Sequence, residues 1–555
     1  MVLRIAHRGN VTSSALVWIG IASSSLIPPI VTALVYAFSE SHNVGDTPEY
    51  TDMALNFKFS SMEFGHLLWA PLGWLGHATL GLDYFGVAQL YKSVSILAAI
   101  AVAVVMRRLL VRIGVGPMTA NAGAIGIALT QGVLNFGLAG TSYITGLAFL
   151  TLSLLLSVEV ALCTRLRPIM VVGAAGALAF SVAFWSPFVL AAPAVVLTPL
   201  VLSGFAAFAR TVAIGCLAVA FMALLFGIAA AGSGVRDFAG LLKWISGSMR
   251  EYDSFGFDYR SVARTVFGIV RSFISMGDTG LDFKRYLLAD PYNRVSLYQL
   301  VSTSLAKIAL FGAVLVMVAF SLRRTPRGRR IGLLASLAAL PLVLFGLYWH
   351  GGDLERYLPV FPFAAVAIAV AWQTATSRLT QGIIASFVVL AIVSNLSSYA
   401  RWEVRRVKQP MQDRVHALLS ASIKPHSVVV VVRDPLELVV RENLLDRRAV
   451  KLHLVDPARP GYSHTSSWQS NFSQHATKAW SAGGEVWISK RLLEVAPRRD
   501  SKWAEGDDWR IYWRQIPEFF GALPIDNDIG GPDGFLRVVR TGEYETSLPA
   551  LVKSP

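Results

Sequence analysis

Charge is scarce in this sequence. Only 15% of its 555 residues are Asp, Glu, Lys or Arg, where a soluble globular chain carries about 25%. Cysteine is scarcer still. Cys163 and Cys216 both fall at or inside apolar segments, which excludes a disulfide framework, and no C-x-x-C or Cys/His pattern offers a structural metal site. No G-x-G-x-x-G, Walker, H-E-x-x-H or Ser-His-Asp signature occurs, so neither a nucleotide site nor a familiar hydrolase is implied. His66 and His77 stand without a partner at metal-ligand spacing.

Long apolar runs are what the sequence has in abundance. Hydrophobic residues make up 54% of the chain and the mean hydropathy is +0.52. Segments of about 20 apolar residues, the length that crosses a hydrocarbon core as helix, recur up to Ala400 and stop there. Spans are expected near 15–38, 86–106, 118–137, 141–162, 169–185, 188–208, 211–231, 298–322, 331–349, 357–375 and 381–400. Arg4 and Arg8 ahead of the first run resemble a signal peptide. That run is too long for a signal core and lacks a small-x-small cleavage site, so it reads as a retained span.

The formal net charge of +15 points toward nucleic acid until the spans are placed. Arg4, Arg8, Arg107, Arg108, Arg112, Arg165, Arg167, Arg210, Arg323 to Arg330 and Arg378 then all fall on one face, with Glu159 as its acid. The other face has an acidic first loop. This is the positive-inside pattern, so the basic excess reports orientation rather than a nucleic-acid partner. With an odd number of spans, the N-terminus lies in the cytoplasm. The 39–85 loop, the 232–297 loop and the tail from Arg401 then lie outside the cytoplasmic membrane. The fold class expected is mainly α, a polytopic transmembrane helix bundle of about eleven spans, with a small C-terminal α/β soluble domain. Domains are drawn at 1–400 and 401–555. In the tail, 427–432, 451–455 and 485–489 read as strands and 435–446 as a helix. The glycine- and proline-broken aromatic stretch 59–81 suits a helix lying in the interface.

Three places carry candidate chemistry. The first is G-D-T-P-E-Y at 45–50, where Asp46 and Glu49 set two carboxylates on an outer turn. One can act as general base on a hydroxyl while the other orients it or holds a divalent cation; a solvated acidic loop has the same appearance. The second is a pair of lysines within spans, Lys92 and Lys307. Each costs about 2.5–3.5 kcal/mol at a helix centre, so each is a candidate for binding a lipid phosphate, with snorkelling to the interface as the alternative. The third is W-H-G-G-D-L-E-R-Y-L-P at 349–359. It crowds His350, Asp353, Glu355 and Arg356 between two apolar helices, and Arg356 offers a fork of donors suited to phosphate. A hairpin turn that merely needs polar residues is the alternative.

In order and in face, these motifs resemble the GT-C superfamily of polytopic glycosyltransferases, which includes protein O-mannosyltransferase-like and aminoarabinose-transferase-like enzymes. The resemblance covers roughly residues 10–400. It implies a sugar transfer from a polyprenyl-phosphate carrier to an extracytoplasmic cell-envelope acceptor, a lipid, polysaccharide or protein. Asp46 takes the place of the family's catalytic carboxylate and Glu49 that of the second acid. In many relatives the second acid is adjacent; here it is three residues on. Lys92 in L-Y-K-S-V and Arg356 in R-Y-L-P match the family's basic positions, and with Lys307 and His350 they form the expected donor-phosphate set. No cofactor is firmly implied, although the two acids leave room for a divalent cation. A transporter or flippase of a lipid-linked sugar and a non-catalytic scaffold are the competing classes. The first calls for broken, polar helices at mid-membrane, and the second places no demand on Asp46.

Overall fold

The computed structural model describes residues 11–41, 46–163, 167–247, 257, 259–276, 297–349, 351–406, 409, 423–432, 451–455, 467–493, 516–529 and 534–540. Arg4, Arg8, Arg165, His350 and the helix expected at 435–446 lie outside them. Seven helices fill the first part of the chain: α1 (Val11–Phe38), α2 (Thr47–Leu55), α3 (Trp69–Leu80), α4 (Tyr84–Arg112), α5 (Pro117–Ala128), α6 (Gln131–Ala139) and α7 (Ser142–Leu162). Then come α8 (Pro168–Phe184), α9 (Ala192–Ser203), α10 (Phe208–Gly232), α11 (Phe238–Gly247) and α12 (Tyr259–Phe273). The helical part closes with α13 (Leu297–Arg323), α14 (Pro326–Tyr348), α15 (Phe361–Thr374) and α16 (Arg378–Tyr399).

Among the described residues, eight helices are long and apolar enough to cross a membrane, or nine if the bent pair α5–α6 is one span. Two shorter apolar helices, Ser25–Phe38 and Pro168–Phe184, coincide with the remaining expected segments. The span expected at 118–137 is not straight: α5 and α6 meet at 55°. Their junction is Leu129–Thr130, and Thr130 has extended backbone as it caps α6. The molecule is a polytopic, mainly helical bundle, as composition implied.

Local signals set the helix ends. Asp83 caps α4 by accepting from the Gly86 N–H at 2.8 Å, and Thr325 caps α14 by accepting from Gly328 at 2.9 Å, with Pro326 next in the chain. Each cap contributes about 1 kcal/mol. Between helices, apolar packing is supplemented by hydroxyls that reach across to a neighbour's backbone. Ser153 donates to the Ala174 carbonyl at 2.6 Å and Ser181 to that of Gly146 at 2.8 Å, joining α7 to α8. In hydrocarbon such bonds are worth about 0.6–2 kcal/mol. Glu159, the acid of the arginine-rich face, is paired with Arg112 at 2.7 Å.

The end of α1 and the end of α16 meet. Ser39 and Ala400 form an antiparallel bridge, Glu40 N–H donates to the Tyr399 carbonyl at 2.9 Å, and Arg405 pairs with Glu40 at 3.2 Å. The first and last spans therefore leave the bundle on one face, whatever the number of crossings between them.

Beyond Arg406 the chain forms a mixed five-stranded sheet, β1 (Val428–Val432), β2 (Lys451–Val455), β3 (Val486–Ser489), β4 (Ile525–Ile529) and β5 (Phe535–Val538), in the order β2-β1-β3-β5-β4. β2, β1 and β3 run parallel, while β5 and β4 join antiparallel. Helix α17 (Ser467–Ser481) buries Phe472, Ala476 and Trp480 in a core with Val430 and Ile488.

Candidate active site

Helix α2 is short, and its exposed face carries the candidate carboxylates. Thr47, Tyr50, Thr51 and Ala54 point inward, while Asp46 and Glu49 are exposed. The Thr47 hydroxyl fastens the start of the helix, with the carbonyls of Ala139 and Gly140 at 2.7 and 3.0 Å. Gly140 has φ +80°, and a Cβ there would strike the backbone of Lys92. Glycine is thus required where the α6–α7 turn crosses α4. One close crossing sets Asp46, Lys92 and the start of α7 side by side.

Asp46 occupies the N-cap position of α2, and with Glu49 three residues on it has the pattern of a capping box. The carboxylate makes no cap bond. The second position of the helix is Pro48, which has no N–H to offer. Instead Oδ2 of Asp46 accepts a 3.1 Å hydrogen bond from the Tyr143 phenol, at the first turn of α7. The Tyr143 ring is buried and wedged edge-on between Phe136 at 4.8 Å and Trp185 at 5.0 Å. His66 lies 5.4 Å away on its other side. The His66 ring is fixed in turn, with Nδ1 2.7 Å from Ser142 Oγ and a hydrogen bond to the Phe184 backbone. Burial pushes the imidazole down to about 4, outweighing the charge of Asp46, and the Arg356 charge acts in the same sense as burial. A neutral imidazole whose bonds are already committed serves as a wall of the site.

The 3₁₀ turn Leu354–Val360 carries Arg356, which is 4% exposed. Its guanidinium lies 3.7 Å from the Trp349 ring centroid and 3.8 Å from Asp353 Oδ2; its Nε is buried with no hydrogen-bond partner among the described residues. Beneath this turn runs α12, a strongly amphipathic helix. Gly268 of α12 lets the Gly351 carbonyl approach where any side chain would collide. One turn on sits Arg271, a residue that sequence reasoning passed over. It is 5% exposed, and its Nε has no partner among the described residues. Burial pushes its guanidinium below its ordinary value, and the charges of Asp353 and Glu355 pull the other way. The signal available in the sequence was an arginine in the apolar turn I-V-R-S-F, read there only as part of a long outer loop.

Lys307 is placed differently. Its ammonium donates to the Ser275 carbonyl at 2.6 Å and to Ser394 Oγ at 3.0 Å. Beside it, Asn395 accepts from the Ser275 N–H at 2.7 Å and donates to the Phe273 carbonyl at 2.9 Å. Together they hold the C-terminal end of α12, two residues past Arg271. The structure thus groups Asp46 and Lys92 around the Gly140 turn and puts Arg356 within electrostatic reach of His66. Lys307 is tied to the end of α12, and Glu49 is one turn along α2 from Asp46. Among the described residues, no three His, Cys, Asp or Glu side chains come together as a metal ion would need.

No protein-family model matches the sequence, and no curated protein matches it. Solved structures do match. The fold they share with this chain is of the GT-C type. The crystal structure of ArnT from Cupriavidus metallidurans bound to undecaprenyl phosphate superposes with a TM-score of 0.53 at 10% identity, covering 98% of this chain and 100% of that one. ArnT in the apo state gives 0.50 at 12% identity over the same shares. The Archaeoglobus fulgidus oligosaccharyltransferase in its apo form is more distant, at 0.46 and 12% identity over 84% of this chain and 70% of that one.

Proposed function

We propose that the chain is an inverting membrane glycosyltransferase that moves a sugar from a polyprenyl-phosphate donor to a hydroxyl of an extracytoplasmic cell-envelope acceptor. The observation that carries this reading is a carboxylate withheld from its helix cap, on one side of a histidine whose other charged neighbour is Arg356, a buried guanidinium with an Nε that has no partner among the described residues. The GT-C fold supports it, as does the undecaprenyl phosphate in the ArnT crystal structure.

In the proposed reaction Asp46 takes the proton of the acceptor hydroxyl. The acceptor oxygen attacks the anomeric carbon from the side opposite the phosphate. The bond from that carbon to the phosphate oxygen breaks, and its electron pair stays on the departing polyprenyl phosphate. Arg356, Arg271 and Lys92 balance the charge that develops there, the preorganised electrostatic help that often dominates catalysis. His350 belongs to the same expected set. Lys307 acts through α12, by holding the helix that carries Arg271. Glu49 orients the acceptor or, if a divalent cation takes part, helps to hold it. An open groove of about 790 Å³ bordered by Met53, Met62, Asp237, Lys243 and Trp244 starts on α2 beyond Glu49, and it serves the acceptor's approach. The N-terminus is cytoplasmic. Residues 1–400 form the catalytic bundle, and 401–555 form a domain on the outer face of the cytoplasmic membrane.

The test is Asp46→Asn, assayed in membranes with a radiolabelled polyprenyl-phosphate sugar. Loss of transfer by about 100-fold or more is expected for a general base. Full transfer in that variant would remove Asp46 from the role, and transport without transfer would move the chain to the flippase class.

A further inference from the structure

We propose that Tyr143 is the positioning residue for Asp46, holding Oδ2 so that Oδ1 is left to meet the acceptor hydroxyl. This rests on the reading of Asp46 as the base. An N-cap aspartate ordinarily turns back onto the N–H groups of its own helix. Had Asp46 done so, both oxygens would be drawn toward α2 and away from an incoming hydroxyl. Two features oppose that outcome. Pro48 removes one of the two N–H donors a cap can use, and the Tyr143 phenol donates to Oδ2 at 3.1 Å from a different helix.

The donor itself is held hard. Phe136, Trp185 and His66 surround its ring at 4.8 to 5.4 Å. The wall made by His66 is tied through Ser142, the residue next to Tyr143. The Gly140 turn fixes where α7 begins, and Thr47, next to Asp46, is bonded to that same turn. The backbones that carry Asp46 and Tyr143 are therefore set by one junction. The gain from such a hydrogen bond is geometric, since misplacing a reacting group by about 1 Å can cost about 100-fold in rate.

The experiment is Tyr143→Phe, which keeps the ring and removes the hydroxyl. The expected result is a fall in kcat of about 10-fold with the KM for the donor unchanged. In the Asp46→Asn background the same change has no further effect, because the two residues act as one unit. Ser142→Ala, which only unties His66 from beside the ring, gives the same pattern in smaller size and provides the answer should Tyr143→Phe not fold. A wild-type kcat in Tyr143→Phe, or an equal loss in both backgrounds, overturns the proposal. If Asp46→Asn alone retains full transfer, the reading of the base has failed instead, and the two failures are told apart by that one variant.

Discussion

Around Asp46 the polar side chains have partners: Thr47 on the Gly140 turn, His66 on Ser142, and Tyr143 on the carboxylate itself. Around Arg271 and Arg356 they are left wanting. Both guanidiniums are buried, with no Nε partner among the described residues, and the Asp353 carboxylate stands 3.8 Å from Arg356. A buried charge without full compensation costs several kcal/mol, so on the proposed reading one side of the site is complete without ligand and the other is finished by one. An anion that supplies the missing acceptors recovers the cost on binding. Under the proposed function, chemistry falls to the satisfied side and donor recognition to the unsatisfied one.

The largest effect that sharpens this contrast is on turnover. Asp46→Asn is expected to lose about 100-fold or more in kcat while donor affinity, measured by titration with a polyprenyl phosphate, stays at the wild-type level. Arg271→Met should do the reverse. Loss of a charged hydrogen-bonding group is worth about 1.5–3 kcal/mol, or about 10- to 100-fold in donor affinity. Without donor, the same variant should melt at or above the wild-type temperature, since it removes a buried charge that Asp353 and Glu355 offset only in part; a lower melting temperature would show that Arg271 is a structural cation. Lys307→Met is expected to destabilise by about 1–3 kcal/mol, because the Ser275 carbonyl at the end of α12 loses its charged donor and keeps only the Ser394 hydroxyl at 3.2 Å. That appears as a drop in melting temperature, with donor affinity reduced only in step. The smallest effect belongs to His66. Its folded-state value of about 4 lies below the ordinary 6.5, so the unfolded chain takes up a proton that the folded one refuses. The stability this contributes is complete above pH 6.5 and is lost as the pH falls through about 4. In His66→Gln the melting temperature should vary less across that window than in the wild type.

Much of the bundle was legible because lipid imposes a coarse rule: a run of about 20 apolar residues has few alternatives to helix. The strand at 428–432 was legible from its run of valines, those at 451–455 and 486–489 were read as further strands, and β4, with I-D-N-D-I, was not. The 55° bend at Leu129–Thr130 was hidden, because neither residue at the break is a proline or a glycine and the break is visible only in the fold. Asp46 stood out through its neighbours in G-D-T-P-E-Y, but Tyr143 did not. A tyrosine opening an apolar helix has no signature, and its meaning comes from a contact 97 residues away in the chain. Arg271 was missed for a related reason. It sits in a loop by hydropathy and becomes a buried cation only when α12 packs beneath the 349–360 turn. Lys307 shows the converse, since its cost in the membrane identified it as special without saying that its partners were the carbonyl of Ser275 and the hydroxyl of Ser394.

The most direct test is to measure donor affinity and single-turnover sugar transfer side by side in Asp46→Asn and Arg271→Met. The account predicts that Asp46→Asn binds donor like the wild type and fails to transfer. Arg271→Met binds weakly and, once saturated, transfers with a smaller defect than Asp46→Asn. Wild-type transfer by Asp46→Asn, or a loss of donor binding in that variant as large as in Arg271→Met, would contradict the division of the site.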